Sequence, residues 1–144
     1  MPAPSQAPPP RLTYLVKQAE LAIRSDLDQV VRTCGVTILQ YTALSVLDRS
    51  PGISSAQLSR RSFVSAQAGN EMVAVLERKE LIERRADTGH PRILSIYLTA
   101  GGRAVLRRCD DRVDEIEARM LAGLDKSARL ALRKALEACV ANLR

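Results

Sequence analysis

Residues 54–99 read SSAQLSRRSFVSAQAGNEMVAVLERKELIERRADTGHPRILSIYLT, and this stretch decides the fold. A short helical pattern comes first, a tight turn follows, and a longer helical pattern comes next. Two β-like runs, 81–86 and 93–98, then flank the turn-forming sequence DTGHPR at residues 87–92. Two helices followed by a hairpin with a basic tip predict a winged helix-turn-helix.

Capping residues set the expected start of each helix. A Ser or Thr hydroxyl can accept a hydrogen bond from a free backbone N–H of the first turn, and a Gln three residues later can reach back. The residues that fit are Thr37 with Gln40, Ser54 with Gln57, and Ser65 and Thr99 as single caps. The expected helices are 12–32, 37–48, 54–60, 65–79 and 100–121, and a last helix that starts at Asp125. Gly35 suits a left-handed cap at the end of the first helix.

The turn between the two helices of the motif contains Phe63, the only phenylalanine of the chain. A large apolar ring at this place predicts a core residue that fills the space between the helices.

The flanking helices carry apolar stripes beyond what a small winged helix requires. The stripe of helix 100–121 steps by three and four residues through Leu106, Cys109, Val113, Ile116 and Met120. A dimer interface would bury such stripes. We therefore expect a mainly α protein with a small β wing. The expected divisions are a disordered tail (1–11), a dimerisation helix (12–36), the winged helix-turn-helix (37–99) and C-terminal dimerisation helices (100–144).

Composition excludes several classes of function. The N-terminus has no signal-peptide pattern, and no apolar run reaches the roughly 20 residues of a membrane span, so we expect a cytoplasmic protein without membrane contact. A single histidine supports neither a metal site nor a base–nucleophile pair, and no Gly-rich phosphate loop is present. We therefore expect no enzyme activity and no cofactor.

Charge and side-chain type favour double-stranded DNA as the partner. The net charge is +6, which favours a polyanion. Amide side chains can bond adenine in two places, and an alanine methyl can touch thymine. The residues predicted to contact DNA are Ser65, Gln67, Ala68, Asn70, Glu71 and Ala74 on helix 65–79, and Arg84, Arg85, His90 and Arg92 on the wing. The alternative is an ordinary solvated helix face and a solubilising basic surface.

Several motifs together resemble the MarR family of bacterial transcriptional regulators. They are Leu76-Glu77-Arg78-Lys79-Glu80-Leu81-Ile82-Glu83-Arg84, then Asp87 and Arg92, and then Leu98-Thr99-Ala100-Gly101-Gly102. The resemblance implies a homodimeric repressor on a pseudo-palindromic operator, with helix 65–79 in the major groove and wing 86–93 in the minor groove. It also implies release by a small aromatic or phenolic anion. Tyr14, Lys17 and Tyr41 are candidates for that pocket; core packing and solvation are the alternative.

Two residues depart from the family pattern. Glu80 stands where the family usually has Gly, and His90 stands where it usually has Asp. A left-handed backbone at Glu80 would carry a cost that Gly avoids. These departures leave open a protein-interaction module that has lost DNA binding.

The three cysteines, Cys34, Cys109 and Cys139, are far apart in the chain. Their odd number argues against a disulfide framework. They lie on or beside apolar stripes, as small core residues do. The alternative is a regulator that senses oxidants through cysteine, which requires an exposed thiolate near positive charge.

Overall fold

The computed structural model describes residues 7–86, 89 and 92–144. Within these residues the chain forms six helices and one two-stranded sheet. The elements are α1 (Leu12–Thr33), α2 (Ile38–Arg49), α3 (Ser55–Arg61), α4 (Ala66–Arg78), β1 (Ile82–Ala86), β2 (Leu94–Leu98), α5 (Ala100–Met120) and α6 (Lys126–Asn142). The predicted tail lies mostly outside the described residues, and so does His90. No single described helix is long and apolar enough to cross a membrane; α1 and α2 meet that test only as a pair bent by 84°.

The caps predicted from the sequence are confirmed. Thr37 and Ser54 each form a complete capping box, with Gln40 and Gln57 as the returning side chains. Ser65 accepts a hydrogen bond from the backbone of Ala68, and Asp125 caps α6 in the same way. Gly35 has the expected left-handed backbone, with φ of +82°.

Helix α2 is the centre of the fold. It packs against α1, α3, α4, α5 and β2. Its Leu44 and Leu47 are almost completely buried and join the core formed with Leu58, Leu76 and Ile96. This aliphatic core fixes the helix-turn-helix to the long helices on either side.

The wing is an antiparallel hairpin that is buried only at its base. Its register runs from Ile82 opposite Leu98 to Ala86 opposite Leu94. Ile82 and Leu98 are buried, whereas Ala86 and Leu94 are exposed. Ile53 pairs with Ile96 through the backbone, so the loop before α3 holds the base of the hairpin while its tip projects.

Helices α3 and α4 approach each other very closely. A Cβ atom added to Gly69 would lie 1.7 Å from the Ser59 hydroxyl. The prediction that Phe63 fills this space is wrong, because the side chain of Phe63 is 83% exposed and its φ is +61°. The contact between the helices leaves no room for a ring, and the small residues Ser59 and Ser62 are buried there instead.

The start of α5 is held against the turn that ends α4. Thr99 donates a 2.6 Å hydrogen bond to the carbonyl of Glu80, and its backbone N–H bonds the carbonyl of Leu81. A Cβ atom on Gly102 would lie 2.0 Å from that Leu81 carbonyl. Glu80 has φ of +59°, so this turn does use the left-handed backbone that normally favours Gly. We call Glu80, Leu81, Thr99 and Gly102 the α5 junction.

Replacing Gly102 with Ala should destabilise the protein, because the added methyl group overlaps the Leu81 carbonyl. Overpacking of this kind costs about 1–3 kcal/mol. Gly101→Ala is the matched control: its Cβ would meet its nearest atom at 3.5 Å, and Ala favours a helix by up to about 1 kcal/mol. Urea unfolding at one protein concentration measures both. Equal stability of the two variants would show that the α5 junction tolerates a side chain at Gly102.

Candidate nucleic-acid interface

Helix α4 separates a buried face from an open face. Gly69, Met72, Val73 and Leu76 are its buried residues. The residues predicted to contact DNA all lie outside this set: Ser65, Gln67, Asn70 and Glu71 are exposed, and Ala68 and Ala74 are partly exposed. The structure therefore brings the predicted recognition residues together on one accessible face.

Two amide side chains on this face differ in their bonding. The Asn70 Oδ1 accepts a 2.7 Å hydrogen bond from the Ser55 hydroxyl of α3. This bond fixes Asn70 to the neighbouring helix and leaves its NH₂ group to donate. Among the described residues nothing bonds the amide of Gln67, so Gln67 retains both the donor and the acceptor that reading adenine requires.

Two of the predicted wing arginines have partners within the chain. Arg84 donates a 2.7 Å hydrogen bond to Glu77 and so ties β1 to α4. Arg85 pairs with Glu83 and stacks over the ring of Tyr97, with its guanidinium carbon 4.5 Å from the ring centre. Exposed ion pairs contribute little stability, so these contacts orient the side chains while leaving them accessible.

Arg92 precedes β2 on the projecting part of the hairpin. It is exposed, and it forms no ion pair within the part of the chain that the structure describes. It is therefore the wing arginine with a free guanidinium. The prediction for His90 falls outside the described residues.

A group of arginines that the sequence reasoning missed lies beside the turn of the motif. Arg49, Arg60, Arg61 and Arg144 line a cavity of about 640 Å³ together with the exposed Phe63. Arg61 donates a 2.6 Å hydrogen bond to Ser50, which fixes it on this surface. The adjacent pair Arg60-Arg61, directly before the turn, was the signal available in the sequence. These residues add positive charge next to the start of α4.

Comparison with known proteins assigns the family. Residues 35–93 match the sequence model of the MarR family. The HTH-type transcriptional repressor Rv2887 of Mycobacterium tuberculosis is 32% identical over 126 residues, which cover 88% of this chain and 91% of that protein. The chain belongs to the MarR family.

Two solved structures of Rv2887 have the same fold as this MarR-family chain. The complex with DNA has a TM-score of 0.76 at 30% identity and covers 91% of this chain and 98% of that one. The complex with p-aminosalicylic acid has a TM-score of 0.74 at 31% identity and covers 90% and 98% of the two chains.

The three residues predicted for the effector pocket have separate surroundings in this MarR-family chain. Tyr14 is 57% exposed, and Lys17 bonds Glu20 within α1 at 3.1 Å. The Tyr41 phenol donates a 2.7 Å hydrogen bond to Asp110 of α5. Burial and this carboxylate raise the pKa of Tyr41 above its ordinary value, so Tyr41 is a neutral donor that joins α2 to α5. Their role in an effector pocket remains a prediction.

An apolar groove of about 540 Å³ runs between α1 and α6. The residues that line it are Leu15, Val16, Ala19, Glu20, Ile23, Arg24, Leu27, Ile38, Met120, Leu132 and Leu136. The sequence indicated the apolar stripes but not the open space between them. None of the three predicted effector residues lines this groove.

Gln67→Ala should relax the choice of base at one operator position, because it removes a donor and an acceptor from the open face of α4. The expected loss of discrimination is about 1–3 kcal/mol at that base pair. Gln18→Ala, which removes an exposed amide from α1, is the control. Competition binding against single-base operator variants measures the effect. An unchanged base preference would exclude Gln67 from base reading.

Proposed function

We propose that this chain is a homodimeric transcriptional repressor that binds a pseudo-palindromic operator and releases it when a small aromatic anion binds. Residues 65–79 would lie in the major groove, and residues 86–93 would reach the minor groove. The observation that carries the proposal is the accessible face of α4 beside a projecting wing, in a chain similar over most of its length to a named repressor. Relatives of this chain are transcriptional regulators, and the proposal includes no catalytic step.

The open face of α4 and the wing suit different parts of DNA. The face combines a free amide, Gln67, with the partly exposed alanines Ala68 and Ala74, and it can approach base edges without a wall of charge. Arg92 is at the wing, where a guanidinium can enter a narrow minor groove. Arg60 and Arg61 are placed to meet phosphates, which hold the protein in register without reading sequence.

The terminal helices supply the proposed dimer interface. Helix α6 buries none of its residues within the monomer. Its Leu132, Leu136 and Val140 are between 37% and 50% exposed, and the first two face the apolar groove along α1. A second copy of the chain would cover this surface, which supports the division into an N-terminal tail (1–11), a dimerisation helix (12–36), a DNA-binding region (37–99) and dimerisation helices (100–144).

Leu136→Ser should shift the protein from dimer toward monomer, because it places a hydroxyl in the apolar surface of α6. Glu137→Ser changes the adjacent exposed position and serves as the control. Sedimentation equilibrium over a range of concentrations measures the dissociation constant of each. A wild-type protein that is monomeric throughout, or a Leu136 variant that dimerises like wild type, would contradict the proposed interface.

The proposed effector is a small aromatic or phenolic anion. The relative Rv2887 has been solved with p-aminosalicylic acid and with salicylic acid. The groove between α1 and α6 has a volume that accommodates such molecules, and Arg24 on its rim offers a positive charge. Binding would act by favouring a dimer geometry in which the two copies of α4 no longer match half-sites one helical turn apart.

A salt series of binding to the DNA upstream of the protein's own gene tests the proposal. Specific binding should weaken steeply with salt because lysine and arginine displace counterions from phosphates. Salicylate should weaken it further at constant salt. Equal and weak binding to the upstream and scrambled duplexes at every salt concentration would contradict the proposal.

Arg92→Ala should weaken binding to all duplexes and lower the salt slope by about one, as expected for the loss of one phosphate or groove contact. Arg107→Ala removes the same charge from an exposed position of α5 and is the control. If both variants bind like wild type at physiological salt, Arg92 has no part in the interface.

A further inference from the structure

Two of the three cysteines meet where α1 packs on α5. Cys34 follows the last residue of α1 and is partly exposed, whereas Cys109 of α5 has no exposed surface. Cys34 packs against the core cluster that contains Cys109, and the two thiols interact directly. Residues 75 positions apart in sequence are therefore brought together by the fold. Cys139 is on the exposed helix α6 and does not belong to this pair.

The thiol pair is reached from solvent through a cavity of about 560 Å³. Its lining residues are Thr33, Cys34, Arg108, Asp111, Arg112 and Glu115. The four that belong to α5 bracket Cys109 in sequence, which places Cys34 beside the turn of α5 that carries Cys109. Small molecules can therefore reach Cys34, and Cys109 lies directly behind it.

We infer that Cys34 and Cys109 form an oxidisable dithiol site, which a hydroperoxide converts into a disulfide within one chain. The Cys34 sulfur attacks the outer peroxide oxygen, the O–O bond breaks, and an alcohol leaves with one thiol proton. The Cys109 sulfur then attacks the Cys34 sulfenic acid, the S–O bond breaks, and the hydroxide leaves as water with the Cys109 proton. Two thiols and one hydroperoxide thus give one disulfide, one alcohol and one water.

The order of these steps follows from the surroundings of each sulfur. Only Cys34 is accessible to an oxidant, and the guanidinium groups of Arg108 and Arg112 line the cavity where negative charge develops on the departing oxygen. Burial and the neighbouring Cys34 raise the pKa of Cys109 to about 12. Cys109 is therefore protected from direct oxidation and acts as the resolving thiol.

A disulfide here would act on the recognition helix through the residues beside each cysteine. The Gly35 carbonyl accepts a 3.0 Å hydrogen bond from Lys79, the residue that caps the end of α4. Asp110 accepts the hydrogen bond from Tyr41 of α2. A disulfide requires the sulfurs to approach to about 2.05 Å, which draws the end of α1 toward α5. We expect this shift to move Gly35 relative to Lys79.

The first test is the chemistry itself, on the full-length protein. Treatment of wild type and Cys139→Ser with cumene hydroperoxide should remove two hydrogens from the intact mass, and peptide mapping should recover Cys34 joined to Cys109. Cys34→Ser and Cys109→Ala should not show this change, and dithiothreitol should reverse it. Cys139→Ser is the matched control because it removes the cysteine outside the pair. Crosslinks only through Cys139, or a sulfinic acid on Cys34 with Cys109 still free, would overturn the assignment.

The second test concerns coupling to DNA and rests on the proposed function. Oxidised Cys139→Ser should bind operator about 5- to 150-fold more weakly than its reduced form, the usual range for coupling between two sites. Cys34→Ser should show no such difference under the same treatment. An intramolecular disulfide that forms without changing DNA affinity would overturn the coupling. Absence of DNA binding in the reduced protein would count against the proposed function and leave the mass-based result on the dithiol intact.

Discussion

The α5 junction is the constraint on which the rest of the structure depends. Gly102 approaches the Leu81 carbonyl so closely that no side chain fits between them, and Thr99 bonds the backbone of both Glu80 and Leu81. The turn after α4, the base of both wing strands and the first turn of α5 are thereby fixed to one another. Because α5 is the long helix that leads away from the wing, its position and that of the DNA-binding surface are not independent.

Hydrogen bonds divide the polar residues of this surface into two kinds. Asn70 is bonded to α3 and Arg84 to Glu77, so these side chains hold neighbouring elements in place. Gln67 and Arg92 have no such partner within the described residues and are the groups most available to DNA. The same residue types therefore perform different roles, because only some of them have a bonding partner within reach.

Helix α2 connects the surfaces on which the proposed functions depend. It packs on the DNA-binding helices α3 and α4 and also on α1 and α5. Lys79 reaches both Gly35 and Gln40 at the start of α2, while Tyr41 reaches Asp110 on α5. A ligand in the groove along α1 and a disulfide at Cys34 would both act on contacts of α2. The dense aliphatic core makes such a shift collective, since close-packed interiors transmit displacement.

The sequence by itself determined the order and limits of the elements. Capping boxes, helical periodicity and turn residues act over a few positions, which is why the starts of α2, α3, α4 and α5 were predicted correctly. It also predicted which residues share the open face of α4, since that face follows from the helical repeat. Only the tertiary structure decided what depends on distant contacts. Phe63 is exposed because α3 and α4 touch at Gly69, Asn70 is engaged because Ser55 lies opposite, and Cys34 meets Cys109 because α1 packs on α5. Sequence spacing carries no information about such meetings, because they are set by how the whole core packs.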